Sequence, residues 1–504
     1  MAGFNWKRRV VFKGLGAAGL IGILGGCDGS GDDDGKSSGG LTSQPGQAPA
    51  SGDGLSGTNK LLIDASETAT GIPANIPVYA YITGLVKTPG QVFYRYDQTT
   101  NRPVEMSTSD NTITDSSKFQ TGLSGATYTQ NYPSPWANYG ILLNRSGVTE
   151  VADLASFNGT NIPGFGKGPA AFSGRIWISV GKPLLPFTPR VGGDLSAAGK
   201  VDGYTTPVVA AGGIGALCFY DWLEFSYDVD GLLYINTTQV DQYGFPISAV
   251  AAGENVQGSP QGLYNKKRSE ILADLALLGE PFNTSVQMPT VGVDGDAYPP
   301  TINTGNKLRA LAPSKSPAIQ TSTYLDAVIS GVLDHRSDWL AVTCSSNALQ
   351  KTYYGEALAG TKTMVFYKDK LKTGGPQFTF NDITTKNVLD CDGTMTGVGL
   401  NPPVSGDLLT DLKNTGKAIL AAFNRGVISS TTAELNIDAG PNYTPPISAN
   451  YPAGVACNVW AQHFHQYSAN GLAYGFAYDD VGDQQPMIIA TKTSGLKLTL
   501  GKFE

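Results

Sequence analysis

The sequence predicts a mainly β protein with an α+β component: a β-barrel or sandwich lobe interrupted by an inserted mixed α/β lobe. Three observations point there. Short runs rich in Val, Ile, Tyr, Phe and Trp, bounded by Gly and Pro, fill the first half of the chain and return at its end, as strands joined by tight turns do. Between about 262 and 467 the apolar residues switch to helical spacing. The composition, with 63 Gly, 30 Pro and only 15% charged residues among 504, suits a secreted β-rich chain with room for two domains.

Residues 1–27 read as an export signal. Lys7, Arg8 and Arg9 precede an apolar, Gly-rich run that ends at Leu24, Gly25, Gly26 and Cys27. The run falls short of the roughly 20 apolar residues of a membrane-spanning helix. Its paired arginines look like a twin-arginine signal. Leu24 to Cys27 resembles a bacterial lipobox, whose cysteine is acylated and becomes the mature N-terminus; a plain signal with an incidental cysteine is the alternative. Gly14, Gly16 and Gly19 fit a dinucleotide fingerprint only by accident, since no strand precedes them. From 28 to 59 the chain is Gly, Ser, Asp and Pro, which cannot bury enough surface to order itself, and reads as a flexible tether. The expectation is an exported protein, lipid-anchored to the cell envelope or secreted, touching membrane only through its N-terminal lipid.

The β lobe is expected at 60–261 and 468–504. Ile76–Gly84, Gln91–Tyr96 and Gly174–Gly181 are its early strands, and Gly471–Asp480, Pro486–Thr491 and Leu496–Leu500 its late ones. The inserted lobe, 262–467, has helical spacing at Tyr264–Gly279, Ser322–Arg336, Ser405–Gly426 and Val455–Tyr467, with a strand at Thr363–Lys368. The last strands are expected to complete the sheet that the first ones begin.

Charge and cysteine usage exclude some partners. With 35 basic and 42 acidic side chains the net charge is −7, and no long basic run is present, so nucleic acid and anionic lipid surfaces are not expected partners. Beyond Cys27 there remain Cys218, Cys344, Cys391 and Cys457, an even number that allows three pairings in an oxidising compartment. Cys391 with Cys457 is the preferred pair, against four buried thiols. His463 and His465 are two apart and do not share a helix face. No metal site and no cofactor is expected.

The stretch that carries chemistry is Asp221–Pro246. It sets two carboxylates, Glu224 and Asp241, among aromatic, β-branched and hydroxyl residues. Two carboxyls on a rigid, half-buried sheet can be driven to different pKa values, one serving as acid and the other as base, and the reaction most often built on such a pair is glycosidic bond hydrolysis. Strand alternation puts Trp222, Glu224, Ser226 and Asp228 on one face. In a straight hairpin Asp241 would pair near Phe219, roughly 17 Å from Glu224 at about 3.4 Å per residue. Inversion needs about 6.5 to 9.5 Å. A bend or bulge between Thr238 and Tyr243 is therefore expected.

The residues in Asp221–Ser248, Ala421–Val427 and Ala473–Gln484, with Gly174–Phe187 as an early strand, resemble glycoside hydrolase family 64, the thaumatin-like endo-β-1,3-glucanases that release laminaripentaose. The resemblance runs from about Leu61 to Glu504. It implies a crescent of a β-barrel-like lobe and an α/β lobe with an open groove between them. It also implies endo-hydrolysis of β-1,3-glucan, as a single chain or triple helix, by a monomer, with Glu224 as proton donor and Asp241 as general base of an inverting mechanism. Ser226, Asp228, Tyr234 and Thr238 fall where the family usually has Thr, Asn, Trp and Thr lining the groove, so three of the four differ here. One more residue than expected separates the two acids. Asp479 and Asp480 match acids near the groove. A non-catalytic β-glucan-binding lipoprotein on the same scaffold is the alternative.

Overall fold

The computed structural model describes residues 54–504 apart from 87–91, 115–133, 159–171, 182–183, 206, 208, 210–217, 229, 264–265, 288–306, 347–348, 382, 392–394, 398–405 and 437–446. The export signal, Cys27 and most of the expected tether lie outside the described residues. Of the tether, residues 54–59 are described: Leu55 is buried, and the Asn59 N–H donates to Ser494 O at 2.8 Å.

The chain divides into two compact units, one of 45–316, 464–473 and 486–504, the other containing 317–463 and 474–485. The larger unit is built on a twelve-stranded, barrel-like sheet. In spatial order its main path runs Gln261–Gly262, Ile247–Gln257, Met487–Leu500, Leu233–Thr237, Tyr220–Tyr227, Phe172–Val180, Val78–Val86, Val92–Asp97 and Arg102–Glu105. The first strand, Lys60–Asp64, lies parallel to the last, Leu61 opposite Leu496, so the chain's end completes the sheet its start begins. Alternation sends Val78, Ala80, Ile176, Ile178, Leu223, Leu233 and Leu498 into one apolar core. The opposite face of the central strands is aromatic and polar, and carries Tyr81, Trp177, Tyr220 and Trp222.

The smaller unit is a mixed α/β layer. Its six strands run Met395–Gly397, Phe378–Asn381, Thr363–Tyr367, Leu349–Leu358, Leu340–Ser346 and Glu434–Asn436. The helix Gly406–Asn424 packs on Leu340–Ser346. Its Leu412, Ile419 and Phe423 are buried at the spacing of a single helix face.

Three expectations change. The inserted unit begins at Pro317, not 262. The helix Arg268–Ala276 and the strands Val286–Gln287 and Arg309–Leu311 belong to the larger unit, where the fully buried Arg268 donates to Gly244 O, Lys307 O and Leu308 O. Helical spacing marks where helices begin, not which core they join. Second, Gly471–Asp480 forms no strand: Tyr474–Gln485 is a run of turns in the smaller unit, held by Arg425 and by Gly475, which presses on Ala461 so closely that a Cβ would stand 2.8 Å from it. Third, Cys218, Cys344, Cys391 and Cys457 are all free, buried thiols, so the Cys391–Cys457 disulfide does not form. Cys391 instead packs at the C-terminus of its own short helix, with its thiol directed at Val388 O.

Candidate active site

Glu224 lies in the middle of the strand Tyr220–Tyr227, with Arg175 beside it on one neighbouring strand and Asn236 on the other. Residues opposite one another across a ladder share a face, so Thr83, Arg175, Glu224 and Asn236 form a row across the sheet. The strand's other face anchors it: Leu223, Phe225 and Tyr227 are buried in the main core. Glu224 is thus fixed on a rigid element rather than on a loop.

Arg175 donates to Glu224 Oε1 from Nε at 3.3 Å and from Nη2 at 3.0 Å. Its guanidinium stands 5.2 Å from the rings of both Trp177 and Trp222, which orient it. The Glu224 side chain keeps 17% of its surface exposed. Burial among the aromatic rings pushes its carboxyl above the ordinary Glu range; Arg175 pulls it down, and the charge of Asp241 pushes it up again. Burial prevails, which favours the protonated form needed for a general acid.

The ladder between Tyr220–Tyr227 and Leu233–Thr237 ends at the pair Leu223 and Thr237. In unbroken register Gly244 would lie opposite position 216, yet it packs on Tyr220 O, where a Cβ would stand only 2.5 Å away, and donates to Asp221 Oδ2 at 2.8 Å. About four residues are therefore looped out of the ladder between Thr237 and the strand Gln242–Tyr243. This is the bend expected between Thr238 and Tyr243, and it carries Asp241 to where its charge acts on Glu224.

A distant segment holds the bend in place. Gln242 and Tyr243 pair with Leu311 and Ala310, and Asp241 O accepts from the Ala312 N–H at 3.0 Å. Ser314 Oγ donates to Val240 O at 3.1 Å, and Lys315 Nζ is 3.3 Å from Asp241 Oδ1. Thr238 contributes from within by accepting the Val240 N–H, so here it shapes the turn.

Asp221 supports the same bend from behind. Fully buried, its carboxyl accepts N–H groups of Trp222, Gly244 and Phe245, and burial pushes it up to about 7 from 3.8. A raised carboxyl stabilises the fold while protonated, and that contribution is lost as pH rises from about 4 through 7, by at most about 4 kcal/mol. Asp221→Asn is therefore expected to flatten this part of the stability profile. Melting temperatures of wild type and variant check it: their difference should change between pH 4 and 8, where only the wild type ionises, and a parallel pair of profiles across that range would refute it.

The other candidate residues are spread differently. Ser226 faces Tyr234 across the ladder, on the same side as Glu224, and both are half-buried. Asp228 gives one oxygen to the turn, where Oδ1 accepts the N–H groups of Asp230 and Leu232 at 2.9 Å each while Gly231 takes a positive φ of 75°. Asp479 and Asp480 lie in the smaller unit. Asp479 is fully buried and braced, with Oδ1 on Arg425 at 3.0 Å and Oδ2 on the Gly475 N–H at 2.9 Å. Asp480 pairs with Lys417, and its Oδ1 is buried without a hydrogen-bond partner among the described residues. His465 Nδ1 bonds to Gly471 O at 2.7 Å. Among the described residues no group of three His, Cys, Asp or Glu is arranged to hold a metal ion.

Sequence reasoning missed Arg175, Lys315 and Asp221. A lone arginine in the apolar strand Phe172–Val180 was a usable signal for Arg175. Nothing local marks Lys315, which lies 74 positions after Asp241.

Residues 166–500 match the family model Glyco_hydro_64, described as β-1,3-glucanase. Over 272 residues the chain is 26% identical to a glucan endo-1,3-beta-glucosidase of Cellulosimicrobium cellulans and 25% identical to one of Arthrobacter sp. (strain YCWD3). Each match covers 53% of this chain but 43% of the relative, so the chain spans less than half the length of the curated relatives it matches. A β-1,3-glucanase domain from Clostridium beijerinckii shares the fold with a TM-score of 0.57 at 21% identity, over 90% of this chain and 100% of that one. A laminaripentaose-producing β-1,3-glucanase solved with laminaritetraose does so at 0.54 and 18%, over 88% and 98%.

Proposed function

The chain belongs to the Glyco_hydro_64 family of β-1,3-glucanases, and on that premise we propose that it hydrolyses β-1,3-glucan internally, releasing short laminari-oligosaccharides with inversion at the anomeric carbon. The observation that carries the reading is Glu224, half-buried in mid-strand with its carboxyl raised by burial, and within range of the charge on Asp241. Glu224 gives its proton to the glycosidic oxygen as the bond to the anomeric carbon breaks. Asp241 takes a proton from the water that attacks the opposite face of the ring. Arg175 orients Glu224, and Lys315 orients Asp241. Ser226 and Tyr234 border the acid and offer hydroxyls to the sugar, and the family likeness adds Asp228 as a binding residue; Thr238 and Asp479, both buried, brace their own turns, and Asp480 is taken up by Lys417. The same proposal includes the thaumatin-like character of the larger unit that the resemblance implies.

New reducing ends from laminarin test the activity, and the first-formed product anomer, read by proton NMR, tests inversion. An α-anomer is expected; a β-anomer would assign a retaining mechanism. Absence of new reducing ends with laminarin still bound would favour the non-catalytic binding protein. We also propose that the protein is exported as a monomer and acylated at Cys27. Labelled palmitate is expected to enter wild type and not Cys27→Ser; equal labelling of the two would remove the lipid anchor.

A further inference from the structure

Each of the two site carboxyls has one oxygen held by a cation and the other left open. Both Arg175 bonds to Glu224, from Nε and from Nη2, fall on Oε1, and Lys315 Nζ stands 3.3 Å from Asp241 Oδ1. Oε2 and Oδ2 meet no partner among the described residues, and neither is buried. Each side chain keeps 17% of its surface exposed.

The asymmetry is fixed by the surroundings. Trp177 and Trp222 flank the Arg175 guanidinium at 5.2 Å each, and the Trp177 indole N–H donates to Thr83 Oγ1 at 3.0 Å, an oxygen that also accepts from Tyr204 OH at 3.2 Å. Lys315 follows Ala312, whose N–H is bonded to Asp241 O, so ammonium and carboxylate sit on joined segments. A protonated carboxyl accepts at its carbonyl oxygen and donates from its hydroxyl. Two N–H donors converging on Oε1 make it the acceptor and leave the proton to Oε2. A proton arriving at Asp241 Oδ1 would stand beside an ammonium, which favours Oδ2.

We propose that Glu224 Oε2 gives the proton and Asp241 Oδ2 takes one, with Arg175 and Lys315 as the positioning residues that make this choice; the assignment rests on the function proposed above and names its reacting atoms. The Oε2–H bond breaks as the glycosidic oxygen leaves the anomeric carbon, and Arg175 meets the charge left on Glu224. The oxygen of water bonds to that carbon while its proton passes to Oδ2. Exchange with solvent then restores both carboxyls.

The charged groups acting on Glu224 are Arg175 from one neighbouring strand and Asp241 from the bend, and Asn236 on the other strand is neutral. Without Arg175, burial and Asp241 both push the carboxyl up, so Glu224 stays protonated to higher pH.

The test is steady-state kinetics of the full chain on laminarin and on a dinitrophenyl laminaribioside, whose leaving group departs without a proton. Arg175→Gln is expected to lower kcat on laminarin about tenfold, to spare the aryl glycoside, and to move the basic limb of kcat/KM to higher pH. Lys315→Met is expected to lower kcat about tenfold on both substrates and to leave that limb in place. Were Oε1 the donor, removing Arg175 would free it; a laminarin rate that holds or rises in Arg175→Gln therefore overturns the assignment. Equal losses on both substrates with an unmoved limb overturn it too, as mere structural support would give them. Should Arg175→Gln melt early, Arg175→Lys keeps the charge but not the two-point grip: a smaller loss confined to laminarin is expected, and an undiminished rate overturns the choice of oxygen. Titration of a ¹³C-labelled Glu224 carboxyl needs no turnover. An upward shift in Arg175→Gln, beside a wild type that releases no reducing ends from laminarin, would remove the function and keep the pairing; an active wild type with no shift would do the reverse.

Discussion

Glu224→Gln is expected to lower kcat on laminarin by about 10² to 10⁴, with binding of laminari-oligosaccharides preserved. The amide keeps the shape of the carboxyl and can still accept from Arg175, so the strand and its neighbours have no reason to move. What it cannot do is release a proton to the departing oxygen. A substrate whose aglycone leaves as a stabilised phenolate, such as a dinitrophenyl β-laminaribioside, needs no such proton. On that substrate the loss should largely vanish. The wild-type profile should also stay active to higher pH than an ordinary Glu allows, because burial outweighs the pull of Arg175 on this carboxyl. A Glu224→Gln protein that cuts laminarin at the wild-type rate would sink the assignment.

Asp241→Asn is expected to cost about the same factor, 10² to 10⁴, on laminarin and on the activated aryl glycoside alike. An amide does not take a proton from water, and no quality of leaving group repairs that. The contrast between the two variants is the informative result, since a general loss of folding would remove both activities in both proteins. Lys315 loses its carboxylate partner in this variant, but the position of residue 241 is set by main-chain bonds to Ala312 and by the pairing of Gln242 and Tyr243, so the bend should persist. Steady-state kinetics on both substrates decide it; recovery of Asp241→Asn on the aryl glycoside would assign the base elsewhere.

The parts of this protein legible in its sequence are those that depend on near neighbours. The period of two along Tyr220–Tyr227 separates Leu223, Phe225 and Tyr227 from Trp222, Glu224 and Ser226, and the structure divides them the same way. The need for a bend after Thr237 also follows from sequence, because a continuous ladder puts Asp241 too far from Glu224. The period of 3.6 located the helix Gly406–Asn424 within two residues at each end. Period failed where it carried no information about packing. Gly471–Asp480 has the aromatic and small residues of a strand, but Gly475 against Ala461 and Arg425 on Asp479 hold this stretch as turns in the smaller unit. The proposed disulfide rested on an even count, which says nothing of where two sulfurs stand.

Sequence by itself determined which face each strand residue takes and that two carboxyls share a half-buried stretch, since those follow from chain geometry over a few residues. Only the tertiary structure decided what surrounds them. Arg175 meets Glu224 because two strands 49 positions apart are neighbours in the sheet, and Lys315 meets Asp241 because a segment past 300 pairs with Gln242 and Tyr243. Electrostatic effect falls off with distance through space and takes no account of separation along the chain. The charges that set a carboxyl's behaviour are therefore settled by strand order and register, which local pattern does not contain.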